Sequence, residues 1–496
     1  MQPLIYLKPR LFALDFQRDK KKSKQKGGLS QAFHLTMHFQ LIFLSLTAVI
    51  GFSTCNRVYV HPFNLVAYSK DECEKVQSQN PSAENMLFPP AIESKNNAEE
   101  KNVKPQTVLE EDKLKILRNY IVPLIEALSF RGAAKLFKQH TTDSILIPYT
   151  DFFRTIVSFY LGASESTSSS LQSFLGIEDP SRSKNCTSKM NGFKVISVLR
   201  NIDSLLVSKD SNINTLRTVC IFVSPKVQLS EKFVHALAGS VDNFFVRAVD
   251  FTDSTKAVKS ISEFLDSKLS EDTKSGLTFI DETANLMYIS HVLFKGKVDK
   301  SSLIPNHQPF WTEPNKIVLV PMIAVSGIFQ FHEDNTRNQL IIKIPLSDND
   351  FLLLVQPING NTLENIESSM MWVTHLEWGK ELSKRYIHLS LPKLKIESSY
   401  NIQDVLHNLN LSELLGKDAD FNKMSTTSIK VGKVINTVDF VLEESDVDPN
   451  DDTNVPETKE EPLDIKLNKP FILALFEGTS KSLLLLGKVV KPTNVI

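Results

Sequence analysis

The chain has 496 residues, of which 42% are hydrophobic and 23% charged, with a formal net charge of -1. That balance argues against an intrinsically disordered chain, and it offers no polycationic surface for nucleic acid or an anionic membrane. The length suits two or three average domains, or one large domain once non-core segments are set aside.

In chain order, the first readable element is the apolar run 38–50, too short to span a bilayer and followed by small residues at Ser53 and Cys55. This is the pattern of a secretory signal cut after Cys55, and it implies an exported, extracellular protein. The lysine-rich stretch 20–26 precedes it, and Met37 stands where a signal normally starts, so residues 1–55 read as a signal peptide with an N-terminal extension. Export permits disulfides, and Cys73, Cys186 and Cys220 allow one bridge and one thiol, with the pair left open by the sequence.

Residues 56–70 read as an exposed peptide and 66–112 as a loosely ordered tail, broken by Pro81, Pro89 and Pro90 and without apolar periodicity. Helical spacing begins at Leu114 and continues through Leu117, Ile121, Leu124, Ile125 and Leu128. Further helices are predicted over 150–161 and 167–175, the latter stopped by Gly176. Strands are predicted at 219–223, 287–294, 317–320, 340–344, 351–355 and 387–391, the last bounded by Pro392, which suits a strand end. The Val/Ile-rich stretch 429–442 is long enough to cross a large sheet. The acidic segment 443–462, with Lys459 its only basic residue, reads as a solvated loop. Runs 471–476 and 483–490, split by 477–480, read as a buried hairpin. Helices and strands do not alternate regularly, so the fold class is α+β.

Catalytic and metal motifs are missing: there is no His-Glu-x-x-His, Walker loop, Gly-x-Ser-x-Gly elbow or paired-cysteine site. The reading is therefore not an enzyme, with no cofactor and no metal. His291, flanked by apolar residues, is expected to be a structural hydrogen-bonder. Asn185-Cys186-Thr187 and Asn410-Leu411-Ser412 are glycosylation acceptors, which implies surface loops.

The informative segment follows the signal cut: Asn56-Arg57-Val58-Tyr59-Val60-His61-Pro62-Phe63-Asn64-Leu65-Val66. A chain terminus can enter a protease cleft extended at little folding cost. Extended geometry sets Tyr59, His61, Phe63 and Leu65 on one side, with Val58, Val60, Pro62 and Asn64 on the other. Aspartic proteases grip apolar side chains on both sides of the cut, so Leu65–Val66 is a suitable scissile bond. Pro62 lacks an N–H and fixes its own φ, so a carboxydipeptidase could take Asn64 and Leu65 and stop at Phe63.

Residues 56–65 are similar to the angiotensin I peptides of non-mammalian vertebrates. The resemblance implies cleavage by renin between Leu65 and Val66, then trimming by angiotensin-converting enzyme. A G-protein-coupled angiotensin receptor would then recognise Arg57, Tyr59, His61, Pro62 and Phe63. From residue 113 to the C-terminus the chain resembles serpins. The similarity lies in His291-Val292-Leu293-Phe294-Lys295-Gly296-Lys297, Val320-Pro321-Met322, Leu389-Ser390-Leu391-Pro392-Lys393-Leu394, Asn468-Lys469-Pro470-Phe471 and Gly487-Lys488-Val489-Val490-Lys491-Pro492.

This resemblance implies three β-sheets, eight or nine helices, and a reactive-loop equivalent at 443–462, preceded by a flexible N-terminal arm. It also implies a Cys73–Cys186 bridge acting as a redox switch on renin access; Cys220 matches no switch residue and is read as buried and inert. In the chain-entropy picture a bridge closing so long a loop stabilises by about 4–5 kcal/mol.

Inhibitory serpins trap proteases by inserting the loop as an extra strand, which requires small uncharged hinge residues. Here the hinge runs Glu443-Glu444-Ser445-Asp446-Val447-Asp448-Pro449, with Pro456 beyond it. Burying such carboxylates is costly, and the prolines withhold ladder N–H groups. A secreted, non-inhibitory prohormone carrier is the leading reading. A serine protease inhibitor is the alternative, and a carrier of a small hydrophobic ligand finds no readable pocket.

Overall fold

The computed structural model describes residues 57–61, 64–67, 87–88, 93–95, 111–176, 192–206, 212–269, 277–370, 378–379, 381–445 and 461–492. Among these are eight α-helices and two large sheets, with three small two-stranded ribbons, an α+β arrangement.

The larger, nine-stranded sheet runs in the order Leu463–Lys466, Ser383–Pro392, Met322–Asp334, Gln339–Pro345, Phe351–Pro357, Phe471–Glu477, Ser482–Val489, Ile145–Pro148, with Ser301–Leu303 beside Met322–Asp334. Met322–Asp334 serves two halves: Met322 to Phe331 pair with Ser383–Pro392, while Gln330 to Asp334 pair with Gln339–Pro345. The two halves and the six-stranded sheet are the three sheets that the serpin resemblance implies. Pro392 is the last residue of its strand, although that strand lies inside the sheet. The predicted C-terminal hairpin is present as Phe471–Glu477 and Ser482–Val489, every residue of it buried. Both of its faces are covered, so its sequence is a continuous apolar run and not an alternation.

Lys488 enters this buried hairpin at 2% exposure. Its ammonium donates to the Phe137 carbonyl at 2.9 Å and lies 3.1 Å from the Glu367 carboxylate. One cation thus joins the hairpin to helices Glu111–Gln139 and Leu363–Ser369. Gly487 marks a close approach to the neighbouring strand: a Cβ there would lie 2.2 Å from Leu146 Cδ2 and 2.8 Å from the Ile145 carbonyl oxygen.

The six-stranded sheet runs Leu394–Asn401, Val431–Glu444, Leu286–Val298, Ile213–Val223, Asn243–Ala248, Glu93–Lys95. Beneath it lies a central helix, Tyr149–Gly162, with Phe152, Phe153, Ile156, Val157 and Phe159 in the core. Helix Ser254–Lys268 packs a satellite cluster through Ala257, Ile261 and Leu265, against Phe222, Phe245 and Cys220.

The tail read as loosely ordered contributes two short strands. Leu87–Phe88 pairs with Leu229–Ser230, and Glu93–Lys95 pairs antiparallel with Asn243–Ala248 at the edge of the six-stranded sheet. A sheet edge offers free backbone N–H and C=O groups, so two or three residues can pair there without any sequence pattern.

Candidate functional site: the N-terminal arm and the loop hinge

Two segments carry the chemistry singled out in the sequence. The first is the arm, where Arg57–His61 and Asn64–Ala67 form an antiparallel ribbon in the register Arg57↔Ala67, Val58↔Val66, Tyr59↔Leu65 and His61↔Asn64. The described part of the arm therefore pairs with itself. Val58 and Tyr59 are strand-forming residues and pair with Val66 and Leu65, while the register shifts between Tyr59 and His61. The Leu65–Val66 bond lies within the second strand, opposite Tyr59 and Val58. An isolated two-stranded hairpin is marginal in water, so a protease that needs an extended substrate can open it at little cost. Asn56, Pro62 and Phe63 lie outside the described residues, as do Cys73, Asn185 and Cys186. No disulfide occurs among the described residues, where Cys220 is a free, buried thiol pushed up to about 12 by burial. Asn410 is exposed on the turn after helix Ile402–Asn408, at φ 60°.

The second segment is the hinge. Glu443 and Glu444 are not loop residues: strand Val431–Glu444 carries them as the last rungs of its parallel pairing with Leu286–Val298. There Lys393 reaches Glu444 at 3.2 Å and Glu443 at 3.6 Å, while Lys295 reaches Glu443 at 3.1 Å across the strand boundary. The Ser445 N–H donates to Ser301 Oγ at 3.1 Å. Residues 446–460 lie outside the described set, and Leu463–Lys466 pairs in parallel with Ser383–Pro392.

Lower on the same strand boundary, His291 is the structural hydrogen-bonder that its apolar flanks imply. Its Nδ1 lies 2.9 Å from Thr437 Oγ1 and its Nε2 3.7 Å from Asp439. Burial holds its pKa below the usual imidazole value, against the opposing pull of Asp439 and Asp151. The lowered pKa favours the neutral ring, and Thr437 Oγ1 also donates to the Ser290 carbonyl at 3.4 Å. Sequence reasoning missed Lys393 and Lys295, because nothing local to either lysine names a partner about fifty or a hundred and fifty residues away.

The description "Serpin (serine protease inhibitor)" belongs to a family model matching residues 124–492. Bovine (Bos taurus) angiotensinogen is 34% identical over 474 residues, covering 91% of this chain and 97% of the relative. The chain belongs to the serpin family, in its angiotensinogen branch. The human (Homo sapiens) angiotensinogen is 32% identical over 466 residues, covering 91% of this chain and 97% of that one. Among solved structures, a thyroxine-binding globulin complex with thyroxine superposes with a TM-score of 0.63 at 18% identity. It covers 75% of this chain and 99% of its own, a likeness that speaks to the fold alone. This serpin is accordingly a secreted, extracellular prohormone and renin substrate, and neither an enzyme nor an active protease inhibitor. No helix among the described residues is long and apolar enough to cross a membrane.

Proposed function

We propose that a renin-type aspartic protease cuts this serpin between Leu65 and Val66, releasing the decapeptide that begins at Asn56. Angiotensin-converting enzyme then removes Asn64 and Leu65. The octapeptide ending at Phe63 acts on a G-protein-coupled angiotensin receptor through Arg57, Tyr59, His61, Pro62 and Phe63, constricting vessels and regulating salt and fluid balance. The observation that carries the reading is the joint one: an angiotensin-like peptide directly after a signal-type segment, in a chain similar over 91% of its length to bovine angiotensinogen. Domain roles follow as 1–55 signal and extension, 56–65 hormone, 66–112 tail and 113–496 serpin body. A Cys73–Cys186 bridge would tether the arm to that body, with glycans at Asn185 and Asn410.

The chemistry of the hinge supports the non-inhibitory role. Insertion would part Glu443 from Lys295 across the opening seam and then carry Asp446 and Asp448 into a sheet. The test is to incubate the secreted protein with renin and determine the mass of what is released. Release of residues 56–65 is the expected result. A folded protein that yields no such peptide, or one cut elsewhere in the arm, refutes the proposal.

A further inference from the structure

The triplet Asn410-Leu411-Ser412 sits on the turn between helix Ile402–Asn408 and the 3-10 turn Ser412–Leu415. Backbone bonds hold this turn: the Asn410 N–H donates to the His407 carbonyl at 2.9 Å, and the Leu411 N–H to the Leu406 carbonyl at 2.8 Å. Ser412 Oγ lies 3.1 Å from His407 Nδ1. Asn410 itself is exposed, in the left-handed conformation that asparagine adopts more readily than most residues.

Next to it opens a cleft of about 540 Å³ that Leu411 helps to line. The rest of the apolar lining is Phe174 and Leu414, both buried. The polar lining comes from distant parts of the chain: Ser170 and Ser173 of helix Glu165–Phe174, and Arg131 of helix Glu111–Gln139. Glu413 lines the cleft as well, yet no ion pair joins it to Arg131 among the described residues. The walls are fixed to one another beyond the turn. The Ser164 N–H donates to the Asp420 carbonyl at 2.9 Å, and the Asp420 N–H donates to Thr167 Oγ1 at 2.8 Å.

We propose that this cleft seats the first sugars of the glycan carried by Asn410, an inference that rests on reading Asn410 as an acceptor. An N-acetylglucosamine ring has apolar C–H faces and a rim of hydroxyl and acetamide groups, the same mixture that lines the cleft. Serine hydroxyls both donate and accept, the guanidinium donates and the carboxylate accepts, so a sugar bridges the gap that Arg131 and Glu413 leave open. The volume falls in the range of about 300–1,000 Å³ typical of small-molecule sites, room for the first two rings. One residue, about 3.8 Å along the chain, separates the acceptor from the cleft lining. A ligand so tethered has an effective concentration on the order of millimolar or above, so contacts too weak to hold a free sugar suffice. The seated glycan braces the two helices against the turn.

The test uses the full chain secreted from cells in which mannose trimming is blocked, leaving glycans that endoglycosidase H cuts between the two core sugars. The native protein is treated with that enzyme, and the tryptic peptide 396–417 is followed by mass. The enzyme reaches only the unseated glycan, so one seated about nine-tenths of the time is cut roughly tenfold more slowly. Ser170→Leu/Ser173→Leu fills the cleft from two exposed positions and restores fast cutting. Arg131→Ala removes a polar wall, speeds cutting too, and carries the test if the double variant does not unfold cooperatively.

Denaturant melts supply a second readout. Asn410→Gln costs the parent about 1.4 kcal/mol, the same tenfold factor, and costs the filled-cleft variant much less. A peptide 396–417 that carries no sugar overturns the proposal at the acceptor. A glycan cut equally fast in the parent and in the folded variants overturns it at the cleft. Renin release of the decapeptide does not involve Asn410 and reads out the prohormone role separately.

Discussion

Lys488→Met removes a cation from the C-terminal hairpin while keeping the bulk of the aliphatic stem. The Glu367 carboxylate, 3.1 Å away with a side chain only 13% exposed, loses its partner, and the Phe137 carbonyl loses its donor. Losing one member of a buried pair costs about 3–5 kcal/mol when the survivor is wholly enclosed. Glu367 keeps some contact with water, which brings the expectation to about 2–3 kcal/mol. For a body of this size each kcal/mol corresponds to roughly 1–2 °C, so Tm should fall by about 2–6 °C.

The double variant Lys488→Met/Glu367→Leu removes the stranded charge as well and is expected to recover most of the loss. The pH dependence supplies an independent sign. Burial already raises the Glu367 pKa against the opposing pull of Lys488, and without the lysine it rises further. An acid whose folded pKa lies above its unfolded value favours folding most when protonated. The cost of Lys488→Met is therefore smallest below the unfolded carboxylate pKa and grows as pH rises through the folded one. Denaturant melts of parent, single and double variants at pH 5 and 7.5 measure all of this. A single variant as stable as the parent at pH 7.5, or a double variant worse than the single, refutes the reasoning.

Gly487→Ala places a methyl 2.2 Å from Leu146 Cδ2 and 2.8 Å from the Ile145 carbonyl oxygen, so thermal melts should show a loss of at least about 1–3 kcal/mol. His291 faces Thr437, Asp439 and Asp151 with a lowered pKa, so the unfolded chain binds its proton first, and stability contributed at neutral pH declines as pH falls below the ordinary imidazole value. His291→Gln should flatten that part of the pH–stability curve, and an unchanged slope counts against the assignment. Cys220, at 1% exposure and pushed up to about 12, should resist iodoacetamide in the native protein and react once it is unfolded.

Elements whose stabilisation comes from continuous apolar burial were legible in the sequence. The run 429–442 is observed as Val431–Glu444, and 471–476 with 483–490 as the closing hairpin. Helix Tyr149–Gly162 was also legible, since its Phe and Ile residues recur at helical spacing. Its Asp151 and Arg154 were not, because a charge on a helix normally marks the solvent side. Here that side is covered by Arg217 and Asp203, which arrive from distant parts of the chain. Helix Ser254–Lys268 was hidden by its scattered lysines and acids, with only Ala257, Ile261 and Leu265 fully buried. At the arm, the resemblance pointed to the proposed peptide, but the pairing of Tyr59 with Leu65 was not legible, since the segment between the two strands carries no Asn-Gly or Gly-x turn signal.

The strand Glu93–Lys95, twenty-eight residues beyond Leu65, caps the rim of the six-stranded sheet at Asn243–Ala248. The proposed cut after Leu65 would leave that cap attached. The carrier left by such a cut would keep its β-rim sealed against neighbouring molecules, with no new edge to drive self-association.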